Sequence, residues 1–119
     1  MATILIIEDN AELRMLFSMV LSAEHNILEA SDGAQGLELC RQHQPDLIIT
    51  DMSMPKLSGL NLIRALRAEE NKVKIIACSA LFNQGTDMEA AMQAGADLCL
   101  TKPVSIDHLI DAVNEMLNK

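Results

Sequence analysis

Short apolar runs alternate along this chain with longer segments of helical period. The runs Thr3–Ile7, Asn26–Ala30, Leu47–Thr50, Val73–Cys78 and Leu98–Leu100 are mostly continuous rather than alternating. That is the pattern of strands buried on both faces. Between them, Leu13, Leu16, Phe17, Val20 and Leu21 recur at helical spacing and predict a first helix with these residues inward. A second helix is predicted over about 34–42, ended by Gln44-Pro45, and a third over about 60–70. A fourth covers about 86–94 and stops at Gly95, a residue suited to the left-handed position past a helix end. In the last, Ile106, Leu109, Ile110, Val113, Met116 and Leu117 share one face, with Asp107, Asp111, Asn114 and Glu115 opposite. Met15/Met19 and Met88/Met92 stand four apart and read as core filling rather than a cofactor site.

The order is therefore strand then helix, five times over, which predicts a single α/β domain with a parallel sheet covered on both faces. Open sheets of this kind carry function just outside the carboxyl ends of their strands. Glu8 and Asp9 follow the first strand, Asp51 the third, Ser79 the fourth, and Thr101, Lys102 and Pro103 the fifth. Ser31, Asp32 and Gly33, after the second, read as an ordinary turn and helix start.

Composition narrows the chemistry. The 119 residues suffice to bury a core, and the net charge is −8. A phosphate backbone needs a basic face, so duplex nucleic acid is a poor partner. Phe17 and Phe82 are the only aromatics, which removes a stacking platform for single strands. An acidic surface leaves room for cationic partners, metal ions included. Met1-Ala2-Thr3 has no basic start and Ile4–Ile7 is too short for a signal peptide, and no run approaches a membrane span. Cys40, Cys78 and Cys99 form no C-x-x-C pair and read as reduced core thiols, so a cytoplasmic protein is expected.

Each polar residue at a strand end has an ordinary explanation. Asp9 with Glu12 forms a passable capping box, with Asn10 as a rival N-cap. Asp51 can open a loop by bonding its own backbone, Ser79 can satisfy a local carbonyl, and Lys102 can be a solvated loop lysine. Together they ask for more. Three carboxylates in one crevice repel one another, and Lys102 supplies only one positive charge. A hard divalent ion completes the balance. Mg²⁺ suits few protein ligands, all oxygen, and the absence of His or Cys at these positions disfavours zinc and copper. A carboxylate beside a divalent ion, an ammonium and a hydroxyl is arranged to accept a phosphoryl group, since that transfer needs positioning and charge neutralisation above all.

The motifs Ile6-Ile7-Glu8-Asp9-Asn10, Ile49-Thr50-Asp51-Met52-Ser53-Met54-Pro55 with Gly59, Cys78-Ser79-Ala80, and Ala94-Gly95-Ala96-Asp97 through Leu100-Thr101-Lys102-Pro103 occur in that order. By them the chain resembles the receiver domain of two-component response regulators, of the single-domain chemotaxis type, over essentially its whole length. The resemblance implies a flavodoxin-like (βα)5 fold with strand order 2-1-3-4-5. It makes Asp51 the phosphoacceptor, and Glu8, Asp9, Asp51 and the backbone carbonyl of Ser53 the Mg²⁺ ligands. Lys102 would contact the phosphoryl oxygens, Ser79 would be the switch hydroxyl, and the Lys102–Pro103 peptide would be cis. The donor would be a sensor histidine kinase or a histidine phosphotransfer protein. A downstream partner would dock on helix 4, strand 5 and helix 5, with a monomer or a phosphorylation-promoted homodimer. The expected domain is 1–119 with no output domain, no independent enzymatic turnover, and no membrane or direct nucleic-acid partner.

Three departures from the family pattern stand out. Cys99 occupies the place of the usual switch aromatic. Ser79 to Lys102 is one residue longer than expected, with the extra residue placed in 81–86. Ser53 and Leu81 fill the two positions that tune dephosphorylation, and neither orients water strongly, so slow to moderate autodephosphorylation is expected. Two other readings share the residues. A Mg²⁺-dependent phosphatase acting through an aspartyl phosphate lacks an acid two positions after Asp51, and a phosphorylation-independent interaction module would leave the site idle. A flavin binder lacks both a phosphate loop after the first strand and an aromatic wall.

Overall fold

The structure, a computed structural model, describes residues 1–80 and 85–118. Five strands, β1 (Thr3–Ile7), β2 (Asn26–Ala30), β3 (Leu47–Asp51), β4 (Lys74–Ser79) and β5 (Leu98–Thr101), pair in parallel in the order β2-β1-β3-β4-β5. Between and after them run α1 (Ala11–Leu21), α2 (Gly33–His43), α3 (Gly59–Ala68), α4 (Gly85–Ala94) and α5 (Ile106–Leu117). This is the five-stranded, doubly wound α/β fold that the pattern and the resemblance implied.

The continuous apolar runs are explained by two cores, one on each face of the sheet. Ile4, Ile6, Leu47, Ile49, Ile76 and Cys78 point to one side, where Phe17 and Leu21 of α1 and Leu109, Val113 and Met116 of α5 cover them. Leu5, Ile7, Ile48, Ile75 and Ala77 point to the other, under Cys40 of α2, Leu62, Ile63 and Leu66 of α3 and Ala91 of α4. β3 is central and buried at all five positions. Each large side chain removed from water there contributes on the order of 1.5–3 kcal/mol.

Several expectations need correction. Core filling by methionine does not hold on α1, where Met15 and Met19 are 59% and 68% exposed. Only one stripe of α1 meets the sheet, through Phe17 and Leu21, and Met15 and Met19 stand outside it; Leu16 also lies outward. Met92 on α4 and Ile106 at the start of α5 are exposed for the same reason. The strand ends run one residue further than their apolar runs, because Asp51, Ser79 and Thr101 remain in the ladder, with Asp51 opposite Cys78 and Ser79 opposite Thr101.

Two glycines fix where helices meet the sheet. A Cβ on Gly59 would stand 2.2 Å from the Asp51 carbonyl oxygen, so only glycine lets α3 begin against the end of β3. Gly95 ends α4 with φ +126°, as its sequence position predicted. Its carbonyl accepts from Arg67 Nε and Nη2 at 3.1 and 2.7 Å, tying that end of α4 to α3.

Candidate functional site

The strand order reverses at β1, so its carboxyl end and that of β3 open onto one crevice, which β4 and β5 extend. Glu8 and Asp9 leave β1 there, Asp51 ends β3, Ser79 ends β4 and Lys102 follows β5. The structure thus brings together the residues singled out from sequence. One oxygen each from Glu8, Asp9 and Asp51 lie within 4.8 Å of one another. The rival explanation of Asp9 as a helix cap fails: Asn10 is the N-cap of α1, its Oδ1 accepting from Leu13 N–H at 3.1 Å. Asp9 is left exposed at the rim, with its carboxylate in the cluster.

Glu8 is the most tightly held member. Its N–H donates to the Ala30 carbonyl at 3.0 Å, which extends the β1–β2 ladder one residue past the strand. Its side chain is 4% exposed, with Oε2 accepting from Asn10 N–H at 3.1 Å and Oε1 from Lys102 Nζ at 2.7 Å. Asp51 is likewise buried, and its two oxygens are divided. Oδ2 lies 3.3 Å from Lys102 Nζ, and Oδ1 receives a long 3.4 Å contact from the N–H of the exposed Ser53. The loop-opening bond foreseen for Asp51 therefore exists, alongside the ion pair rather than instead of it.

The main chain of Lys102 is also fixed here, its N–H donating to the Ser79 carbonyl at 3.0 Å, and the peptide to Pro103 is cis. Ser79 is buried beside a cavity of about 260 Å³ bounded by Met52, Ser53, Leu60, Asp87 and Ala90, on the side toward α4. Cys99, at the place of the usual aromatic, is half-buried on β5 against the core beneath α2, α3 and α4. Leu81, and most of the 81–86 segment to which the extra residue was assigned, lie outside the described residues.

Electrostatics follow from burial. A simple ion pair lowers its acid while raising its base, yet Glu8 and Lys102 are both raised. For Glu8, burial lifts the carboxyl, neighbouring Asp9 and Asp51 lift it further, and the bonds from Lys102 and Asn10 do not cancel this. For Lys102, burial pulls the ammonium down, but the bond to Glu8 and the charges of Asp51 and Glu8 outweigh it. One lysine among three acids is well satisfied; the buried Glu8 is not. The site is short of positive charge.

That shortage, with hard oxygen donors and no nitrogen or sulfur ligand in the cluster, fits a small divalent ion such as Mg²⁺. Cys78, one residue before Ser79, is no competing nucleophile: burial pushes its thiol up to about 12. Sequence reasoning passed over Arg14, whose Nη1 donates to the Glu8 carbonyl at 2.7 Å. A cation four residues into a helix carries no motif of its own, and both groups it reaches are brought to it only by folding.

The receiver-domain model of response regulators matches residues 4–114. The chain is 34% identical over 117 residues to the chemotaxis protein CheY of Bacillus subtilis, with 97% of each covered. It is 30% identical over 118 residues to the polar-differentiation response regulator DivK of Brucella ovis, covering 97% of this chain and 95% of that one. The receiver domain of the Francisella response regulator 1452 superposes with a TM-score of 0.93 at 29% identity, over 99% of this chain and 98% of the other. With its acidic crevice at the reversal of strand order, the chain belongs to the response regulator receiver domains of two-component signalling.

Proposed function

We propose that this chain is a phosphorylation switch, with Asp51 as phosphoacceptor. The observation that carries the reading is the placement of Asp51 between Lys102 Nζ at 3.3 Å and the Glu8–Asp9 pair, on the rigid end of a fully buried strand. An Asp51 oxygen bonds to phosphorus as the P–N bond of a phosphohistidine breaks, and the electron pair returns to the imidazole nitrogen. The donor is a sensor histidine kinase or a histidine phosphotransfer protein.

Glu8, Asp9, Asp51 and the Ser53 carbonyl would hold Mg²⁺, which when bound supplies positive charge to the phosphoryl oxygens. Lys102 takes up part of the charge on the phosphoryl group, moving its ammonium from Glu8 toward Asp51. Ser79 turns its hydroxyl to a phosphoryl oxygen, and the cavity on its α4 side gives the surrounding segment room to follow. The α4–β5–α5 surface then favours a different partner, by as much as the phosphoryl group prefers one arrangement over the other. The domain acts as a switch that is modified once per cycle. A phosphatase reading is less favoured, since an exposed Ser53 stands where an acid would have to protonate a leaving group.

The experiment is to incubate the protein with Mg²⁺ and acetyl phosphate and read intact mass, with Asp51→Ala and an EDTA control alongside. Gain of one phosphoryl group by the wild type alone, and only with Mg²⁺, is the expected result. No gain, even with a histidine kinase present, would make the chain a phosphorylation-independent interaction module.

A further inference from the structure

Arg14 is the fourth residue of α1, near the positive end of the helix dipole, where a cation is disfavoured. Its position is explained by what it reaches. Nη1 donates to the Glu8 carbonyl at 2.7 Å, and Nε stands 3.3 Å from Glu29 Oε1 on β2. Ser18, one turn further along α1, donates from Oγ to Glu29 Oε2 at 3.2 Å and orients that carboxylate. The side chain of Arg14 is only 20% exposed, so these bonds are partly screened from water. The guanidinium fork thus joins α1, the exit of β1 and the edge strand β2.

We infer that Arg14 is a positioning residue for the divalent-ion site. It fixes the peptide between Glu8 and Asp9, and with it the direction in which both carboxylates leave β1. This rests on the proposed role of Glu8 and Asp9 as ligands. The Glu8 N–H is held by Ala30, so the Arg14 bond clamps the other side of the same residue. Without it the carbonyl is free to turn, and the exposed Asp9, which caps no helix, turns with it.

Two effects of the guanidinium act in opposite directions on metal binding. As a positive charge it competes with a divalent ion; as a clamp it preorganises the ligands. Lysine separates them, because it keeps the charge but lacks the two-pronged planar fork. Mg²⁺ affinity should be measured by calorimetric titration for the wild type, Arg14→Lys, Arg14→Met and Glu29→Gln, with thermal melts in EDTA to record folding. Positioning predicts roughly tenfold weaker binding for Arg14→Lys, the low end of losses seen when outer partners of metal ligands are removed. Glu29→Gln should move the same way by a smaller factor. Glu29 is 44% exposed, so this variant keeps the test alive if an Arg14 variant does not fold.

Unchanged affinity in Arg14→Lys and Glu29→Gln, or tighter binding in Arg14→Met with Arg14→Lys unchanged, would overturn the inference and leave only a charge effect. Failure of the wild type to bind Mg²⁺ would instead bring down the ligand assignment, and this inference with it.

Discussion

Lys102 Nζ donates to Glu8 Oε1 at 2.7 Å, joining residues 94 positions apart, and stands 3.3 Å from Asp51 Oδ2. The lysine therefore rests on the acid that is not proposed to react, within reach of the one that is. It also holds the ends of β1 and β5 to the same crevice. Removing it leaves two buried carboxylates without the one ammonium that, among the described residues, pairs with them. Lys102→Met should cost about 2 kcal/mol without divalent ions, less than the roughly 3–5 kcal/mol for breaking a fully buried pair because Lys102 is 21% exposed. Urea unfolding with and without Mg²⁺ checks this. The variant should recover more stability from Mg²⁺ than the wild type does, while accepting phosphate poorly. Equal Mg²⁺ stabilisation of both proteins would show that the lysine and the ion do not share one charge deficit.

Glu8 makes the pH dependence specific. Its carboxyl is raised above the ordinary 4.5, first by burial, so between that value and its folded value the native state binds more protons than the unfolded chain. Stability then falls as pH rises through this window, and the full cost is present above it. Lys102 acts with the same slope in the alkaline range, but there the charged form is the favoured one: raised above 10.5, its stabilisation is complete below that pH and is lost as pH climbs through the folded value. We therefore expect Glu8→Gln to be more stable than wild type at pH 7 in EDTA, with a flatter profile above pH 4.5. It should also lose most of the stabilisation by Mg²⁺. Thermal melts from pH 4 to 8 decide it, and a variant that melts lower at pH 7 would contradict the charge deficit described above.

Asn10 and Asp9 separate two roles that the sequence left merged. Asn10 caps α1 through Leu13 N–H and Asp9 caps nothing. Asn10→Ala should thus lose about 1 kcal/mol of stability and bind Mg²⁺ nearly as well as the wild type. Asp9→Ala should keep or slightly raise stability in EDTA and lose Mg²⁺ binding. Chemical denaturation paired with metal titration reads both. The reverse pattern would return Asp9 to its helix-capping role.

What was readable in the sequence follows from which signals are local. Continuous apolar runs such as Leu47–Thr50 mark strands buried on both faces wherever those faces are covered, so element order and the acids at strand ends were legible. Helix faces were less so. Met15 and Met19 are apolar and four apart, but whether such a pair turns inward depends on the angle at which α1 meets the sheet, set by Phe17 and Leu21. The ends of β3, β4 and β5 were set one residue short because hydropathy stops at Asp51, Ser79 and Thr101 while backbone pairing does not. Arg14 was invisible because both its partners, a carbonyl and a carboxylate, become neighbours only on folding.

Ser53 carries the last prediction. It is exposed, two residues after Asp51, and its backbone N–H makes a long 3.4 Å contact with the acceptor carboxylate. A serine hydroxyl there is neither an acid nor an amide, and so is a weak device for orienting an attacking water. Once formed, the aspartyl phosphate should decay slowly to moderately, over minutes or longer by order of magnitude, and Ser53→Asn or Ser53→Glu should shorten its life. Loss of phosphoryl mass with time, after the phosphodonor is removed and with Mg²⁺ kept, measures the rate. A wild-type half-life of seconds would mean that some other group already positions the water, and the search for it would begin at Leu81.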